Sequence, residues 1–343
     1  MMATPRRSLL RTGLGLCASV LAMPALIRHG RAAELKPVRI IDSPGRWASY
    51  ELIFVADSNG LFKEQGLALE LIPLPPDQYT VALDSGVTDF APASDYAYFI
   101  NVRDKGLIAK EIVVSTPNID PARASDGLFV REDSPIQRAT DLRGKKIGMT
   151  NVSFSSAWFT AEFLGQSGVG LGEVTYVPIP AQQQEQVLQS GDVDAIFAFS
   201  PIDAILRRRG GYRQIFQLGT IAGRRINRGG TMAKESLIRS DPDLVRNYAT
   251  AIAKAADWAN HNQAAVIQLG IDKGRIPDGL APYIYTKDGK GDYSVLTWPD
   301  HGLQREDDVR FWLEMDERQG VVPKGKLSVA ELYTNEFNPF ASA

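Results

Sequence analysis

Short apolar runs alternate with amphipathic stretches along most of this chain. Runs of strand length cover residues 38–41, 67–74, 87–90, 111–115, 174–180 and 193–199. The stretches between them carry helical periodicity, at residues 47–60, 78–85, 93–105, 154–167, 182–191 and 201–210. Because the strand cores are continuous apolar runs and helices follow them, the pattern predicts an α/β fold in which mostly parallel sheets carry helices on both faces.

The last third of the chain has a different pattern. Residues 230–270 are predicted to be mostly helical, with Pro242 in the first turn of the longest helix, where proline is tolerated. The chain beyond residue 271 is richer in Gly, Pro and aromatic residues and contains one clear helix near 304–319.

Two segments of the chain have the same order of features. LALELIPLPPDQYTVALDSGVTDFAPAS (67–94) and VTYVPIPAQQQEQVLQSGDVDAIFAFS (174–200) each give a strand, a polar turn, a helix ending in Ser-Gly, an Asp and a second strand. Two halves built alike predict two lobes of similar local architecture.

The N-terminal segment has the features of an export signal. Arg6 and Arg7 precede an apolar run from Leu14 to Ile27, and TPRRSLL is typical of the twin-arginine route. We therefore interpret residues 1–33 as a signal peptide cleaved near Ala32 or Ala33, which predicts a periplasmic protein.

Charge and cysteine content exclude several functions for the chain beyond this segment. The first 32 residues hold five of the 38 basic residues and none of the 40 acidic ones, which leaves a net charge of −7. Such a balance argues against general nucleic-acid binding. The one cysteine, Cys17, lies in the predicted signal, so the remainder has no disulfide, thiolate nucleophile or cysteine-bound metal.

Four motifs together resemble a known family. They are GLFKEQGLALELIP (60–73), LDSGVTDF (83–90), DLRGKKIGM (141–149) and LQSGDVDAIFAFSP (188–201). In this order and spacing they resemble type II periplasmic solute-binding proteins of ABC importers, in the group that handles alkanesulfonates, taurine, nitrate and thiamine-type pyrimidines.

The resemblance implies two α/β lobes with a ligand cleft between them. Lobe 1 would comprise residues 34–122 plus 226–343, and lobe 2 residues 123–225, with crossings near 115–127 and 220–230. It also implies a monomer that binds a small-molecule ligand. The monomer would deliver the ligand to an ABC permease, through which alone it would contact the membrane. The permease would link it to a partner ATPase.

Ligands of open α/β sheets bind beyond the carboxyl ends of the strands. Four loops occupy such positions, at residues 43–47, 92–96, 151–156 and 199–201. The candidate ligand-binding residues in and beside them are Arg46, Trp47, Tyr50, Ser94, Asp95, Ser153, Phe154, Ser155, Ser156 and Ser200.

Each candidate has a simpler structural interpretation as well. Hydroxyls at a helix start offer donors to an oxyanion without adding charge, but a serine there also caps its own helix. Arg46 either contacts an oxyanion or faces solvent, and Trp47 either packs on the ligand or lies in the core. Asp95 either accepts from a ligand amine or is an acidic first-turn residue of a helix.

Arginines near the crossings are candidates for a charge clamp. The clamp would be whichever one of four arginines reaches the cleft: Arg123, Arg224, Arg225 or Arg228.

No catalytic motif is present, so we predict a binding protein without cofactor or metal rather than an enzyme. The expected ligand is a small organic anion, with sulfonates first, followed by aromatic carboxylates, nitrate-like anions and pyrimidines. Two alternatives remain: a pyrimidine or thiamine-precursor binder or related enzyme that is exported folded, and a ligand-sensing subunit of a receptor other than an importer.

Overall fold

The computed structural model describes residues 34–42, 50–74, 78–92, 95–122, 126–150, 152, 155–200, 202–276, 279–280 and 297–341. Residues Leu35–Ala343 form one compact unit. None of the helices within the described residues is both long enough and apolar enough to span a membrane.

In the described part of the chain, ten strands form two sheets of five. In chain order they are β1 (Lys36–Asp42), β2 (Leu67–Pro73), β3 (Phe90–Ala91), β4 (Ala109–Val114), β5 (Gly127–Arg131), β6 (Lys146–Met149), β7 (Thr175–Pro178), β8 (Ala195–Ala198), β9 (Tyr212–Gln217) and β10 (Gly230–Lys234). The strand orders are β2-β1-β3-β10-β4 and β7-β6-β8-β5-β9. We call the first sheet with its helices lobe 1 and the second sheet with its helices lobe 2.

The helices follow the strands as the alternating pattern predicts. They are α1 (Glu51–Ser58), α2 (Leu61–Glu64), α3 (Tyr79–Ser85), α4 (Tyr96–Asp104), α5 (Ser155–Gly165), α6 (Gln184–Ser190), α7 (Ile202–Arg209), α8 (Leu218–Ala222), α9 (Glu235–Ser240), α10 (Pro242–His261), α11 (Gln263–Asp272), α12 (Glu306–Arg318) and α13 (Val329–Leu332). In α10, Pro242 occupies the first turn, and the Asp241 side chain accepts from the Leu244 N–H at 3.2 Å.

Each sheet is mostly parallel, and this prediction is confirmed. In lobe 1 β10 alone runs opposite to the others, because it pairs antiparallel with both β3 and β4. In lobe 2 β5 has the same role between β8 and β9. Each reversed strand is the first one that the chain forms after it has crossed from one lobe to the other. Strand β10 lies within the stretch predicted to be mostly helical, and its first four residues are buried in the middle of the sheet.

The repeated segments form equivalent structures. Helices α3 and α6 end at Gly86 and Gly191, whose φ angles of 74° and 81° are readily adopted only by glycine. After each turn, an Asp side chain accepts a backbone N–H from the neighbouring strand: Asp89 from Arg39 at 2.8 Å and Asp194 from Lys146 at 2.9 Å. The Asp of the repeat therefore ties one strand to the next in both lobes.

The two lobes share part of their hydrophobic core. One cluster of buried side chains includes members of both sheets and of α5 and α12. Phe159 of α5 meets Trp312 of α12 edge to face, with ring centroids 5.2 Å apart. Two crossing segments pair at Ile119 and Ile226, where each N–H donates to the opposite carbonyl at 3.0 Å.

Asp316 of α12 is a buried acid without a hydrogen-bond partner for either carboxylate oxygen within the described residues. Burial raises its pKa well above the usual value. The unfolded chain therefore loses this proton near pH 4, whereas the folded chain retains it to higher pH. Folding stability should accordingly fall as pH rises from about 4 towards the pKa of the folded state.

Replacing Asp316 by Asn should remove this pH dependence. We expect Asp316→Asn to raise the Tm more at pH 8 than at pH 4.5, measured by thermal unfolding in matched buffers. Glu314→Gln, which changes an exposed side chain of the same helix, is the control. A gain of equal size at both pH values would show that the Asp316 carboxyl ionises in the folded protein.

Candidate functional site

The carboxyl ends of four strands mark the edge where the candidate loops begin. Strands β1, β3, β6 and β8 end at Asp42, Ala91, Met149 and Ala198, directly before or within two residues of those loops. Five of the candidate residues lie outside the described part of the chain: Arg46, Trp47, Ser94, Ser153 and Phe154. The described candidates are Tyr50, Asp95, Ser155, Ser156 and Ser200.

Three of the described candidates meet around one arginine between the lobes. Arg228 donates from Nε to Oδ1 of Asp95, which precedes α4 of lobe 1, at 2.8 Å. Its Nη1 donates to Oδ2 of Asp126, which precedes β5 of lobe 2, also at 2.8 Å. The other oxygen of Asp126 accepts the backbone N–H of Ser200 at 2.9 Å. We call Asp95, Asp126, Ser155, Ser200 and Arg228 the interlobe cluster.

Ser155 connects the two lobes directly through its hydroxyl. Its Oγ donates to Oδ2 of Asp95 at 2.8 Å, and Nη2 of Arg228 lies 3.4 Å from the same Oγ. A capping serine would instead accept a backbone N–H of its own helix. The Ser155 proton is thus directed at Asp95, and Asp95 itself binds the cluster rather than serving only as a first-turn residue.

Arg228 is buried in this arrangement and remains charged. Burial alone lowers the pKa of Arg228, but the nearby carboxylates of Asp95 and Asp126 outweigh burial, so the pKa is raised. The guanidinium also lies over the Phe199 ring, 5.2 Å from its centroid. Two carboxylates on one guanidinium give these three side chains a net charge of −1.

Two other candidates lie in buried positions apart from this cluster. The Ser156 hydroxyl is buried near the sulfur of Met149, at 4.0 Å. Tyr50 is fully buried, and its hydroxyl lies 2.9 Å from that of Tyr79. The structure therefore brings together Asp95, Ser155 and Ser200 but leaves Ser156 and Tyr50 in other contacts.

The arginines near the crossings are neutralised wherever the structure describes them. Arg224 pairs with Asp308, and Nη2 of Arg225 lies 2.7 Å from Oδ2 of Asp120. Arg228 is held by two carboxylates, as above, and Arg123 lies outside the described residues. None of the three described arginines is therefore left to serve as a simple anion clamp.

Sequence reasoning missed two parts of this edge. Asp126 follows the first crossing and joins the cluster from a position 102 residues away from Arg228. Arg275, which follows α11, forms an ion pair with Asp42 at the end of β1. Asp126 could have been found because it is an acidic residue directly before a strand. Nothing in the sequence around Arg275 distinguishes it from the other arginines of the chain.

A metal centre finds no support in the described residues, where no cluster of three or more His, Cys, Asp or Glu side chains has ligating geometry. The side chains of the interlobe cluster satisfy one another through hydrogen bonds instead.

Comparison with known proteins gives a family match and several structural likenesses. The sequence model of a family described as NMT1/THI5 like matches residues 47–265. A 2'-hydroxybiphenyl-2-sulfinate desulfinase of Rhodococcus erythropolis is 28% identical over 47% of this chain and 59% of its own length. The chain thus spans less than two thirds of the curated relatives it matches.

Solved structures share the fold across most of the chain. The periplasmic aliphatic sulphonate binding protein SsuA of Escherichia coli is 17% identical, covers 87% of this chain and 92% of its own, and has a TM-score of 0.66. The periplasmic nitrate-binding protein NrtA of Synechocystis PCC 6803 is 13% identical, covers 89% and 87%, and has a TM-score of 0.69. At these identities the likeness establishes the two-lobed α/β fold.

Proposed function

This chain belongs to the NMT1/THI5-like family, and from that membership we propose that it is the solute receptor of an ABC importer. The receptor binds a small organic anion in a cleft between lobe 1 (34–122 plus 226–343) and lobe 2 (123–225). It acts in the periplasm after export and removal of residues 1–33, and it delivers the ligand to a membrane permease. A partner ATPase supplies the energy.

The observation that carries this proposal is the interlobe cluster. Asp95 of lobe 1 and both Asp126 and Ser155 of lobe 2 converge on Arg228 at the carboxyl ends of the strands. A receptor of this kind works when its ligand binds the closed form better than the open form. Polar groups from both lobes that meet at this edge support a site to which both lobes contribute.

The likenesses to known proteins support an anionic ligand. Sulphonate- and nitrate-binding proteins share the fold, and the curated relative acts on an aromatic sulfinate. The partly buried Phe54 ring beside Arg275 favours an organic ligand over an inorganic ion.

The test is thermal unfolding of refolded, ligand-free protein with a panel of sulfonates, aromatic carboxylates, nitrate and pyrimidines. A ligand at 100 times its Kd adds about 2.7 kcal/mol, which raises the Tm by several degrees. We expect one class of organic anion to do so, and small-angle scattering to show a more compact protein with that ligand. Neutral amides of the same acids are the controls, and a flat response to every anion would contradict the proposal.

A second candidate function is hydrolysis of an aromatic sulfinate, favoured by the desulfinase relative. In that reaction water cleaves the carbon–sulfur bond, the ring carbon gains a proton and sulfur leaves as bisulfite. Among the described residues, the histidines offer no acid at the cluster, because His261 is exposed and His301 stacks on Phe340. We expect 2'-hydroxybiphenyl-2-sulfinate to be bound without turnover, and sulfite release above the protein-free rate would favour the enzyme.

A further inference from the structure

Arg275 lies at the carboxyl end of β1, the strand that the first candidate loop follows in the sequence. Its Nη1 is 3.5 Å from Oδ1 of Asp42, the last residue of that strand. Its guanidinium carbon lies 3.8 Å from the centroid of the Phe54 ring and 5.8 Å from that of Tyr50. The guanidinium is therefore held by one ion pair and two aromatic faces.

The opposite edge of this guanidinium meets no acceptor among the described residues. Both Nε and Nη2 are buried, and no hydrogen-bond partner reaches either atom within the described part of the chain. Leaving charged donors buried and unmatched is costly, so such atoms call for an acceptor. Arg228, in contrast, uses its Nε and Nη1 on two carboxylates.

The two unmatched atoms form one recognition edge. In arginine, Nε and Nη2 point the same way and make two parallel hydrogen bonds to a group that has two oxygens on one atom. Carboxylates, sulfinates and sulfonates have this geometry. The partly buried ring of Phe54 suits the apolar part of such a molecule.

Lobe 2 reaches the same edge of lobe 1. Ala204 of α7 packs in the hydrophobic cluster that contains Tyr50. Four residues after Arg275, a Cβ on Gly279 would lie 3.0 Å from Nη1 of Arg208 of α7. Arg275 is thus placed where the lobes meet, at the edge where ligands of α/β sheets bind.

We propose that Arg275 binds the anionic group of the ligand through its Nε–Nη2 edge, while Asp42 holds the guanidinium from the other side. This inference rests on the proposed receptor function and specifies it: the ligand is an organic carboxylate, sulfinate or sulfonate. It also assigns anion recognition to the end of β1, since the described arginines at the crossings are neutralised by carboxylates.

The test compares Arg275→Gln with wild type by calorimetric titration of benzoate, benzenesulfinate, benzenesulfonate and methanesulfonate. Losing two charge-assisted hydrogen bonds should weaken the Kd of the best anion by about 10- to 100-fold. The affinity of the neutral amide of the same acid should be unchanged. Arg246→Gln is the matched control, because Arg246 also lies over an aromatic ring, that of Phe337, at 5.6 Å.

Arg275→Lys protects the test against a variant that fails to fold. Lysine keeps the charge but not the planar edge, so we expect an intermediate loss of anion affinity. Unchanged anion binding in either soluble Arg275 variant would overturn the assignment while leaving the receptor function intact. If the wild-type protein bound none of these anions and no member of the wider panel above, both the Arg275 assignment and the proposed receptor function would be overturned.

Discussion

Replacing Arg228 by methionine is expected to lower the free energy of unfolding by about 3–5 kcal/mol. Methionine replaces the apolar stem of the arginine side chain but not its charge, so Asp95 and Asp126 stay buried without their common cation. An unpaired buried charge is strongly destabilising. The side chains of Arg228, Asp95 and Asp126 are only 13%, 2% and 11% exposed, so water cannot replace the guanidinium effectively. Urea denaturation measures the loss directly.

Two further variants separate charge from packing at this position. Arg228→Met combined with Asp95→Asn and Asp126→Asn should regain most of the lost stability, because the triple variant buries no unpaired charge. Arg143→Met is the control: Arg143 meets Glu173 at 2.8 Å, but both side chains are 43% exposed. Such a pair contributes about 0–1 kcal/mol. A loss at Arg228 as small as that at Arg143 would mean that the cluster is solvated in solution.

Replacing Gly219 by alanine is expected to destabilise the crossing between the lobes by about 1–3 kcal/mol or more. Gly219 lies in α8, where a Cβ would stand 2.6 Å from the carbonyl oxygen of Asp120 and from N and Cα of Pro121. These obstacles are backbone atoms, so the two crossing segments would have to move apart. Denaturant unfolding measures the loss, and scattering reports whether the lobes separate.

Gly165→Ala provides a control of opposite sign. Gly165 ends α5, and a Cβ there would meet no atom within 4 Å. Alanine in a helix should stabilise it by about 0.5–1 kcal/mol, because glycine loses more conformational freedom on folding. If both substitutions had the same effect, the close approach at Gly219 would not limit the packing of the crossings.

Most of the fold was predictable because its signals are local. Apolar runs followed by amphipathic stretches indicated six of the ten described strands and most of the described helices, and the Ser-Gly-x-x-Asp repeat indicated a duplicated architecture. Strand β10 was missed because GTMAK is short and precedes a long helical stretch. Its strand conformation depends on pairing with β3 and β4, which lie more than 115 residues earlier.

The candidate site was predictable only in part. The rule that ligands bind at the carboxyl ends of strands selected Asp95, Ser155 and Ser200, which do meet at one cluster. The rule could not select their partners, because Asp126 and Arg228 are 102 residues apart and are joined only by the crossings. For the same reason sequence reasoning named Arg228 only as one of four arginines that could clamp an anion and did not foresee that two carboxylates bind it.

The position of β10 also determines the order in which the lobes can be completed during synthesis. All five strands of lobe 2 lie between Gly127 and Gln217, in one uninterrupted stretch. The lobe 1 sheet needs β10 between β3 and β4, so it stays incomplete until residue 234 has left the ribosome. Domains fold as units while the chain emerges. The lobe that begins second is therefore finished first, and until then β3 and β4 remain open edges that a chaperone or another chain can reach.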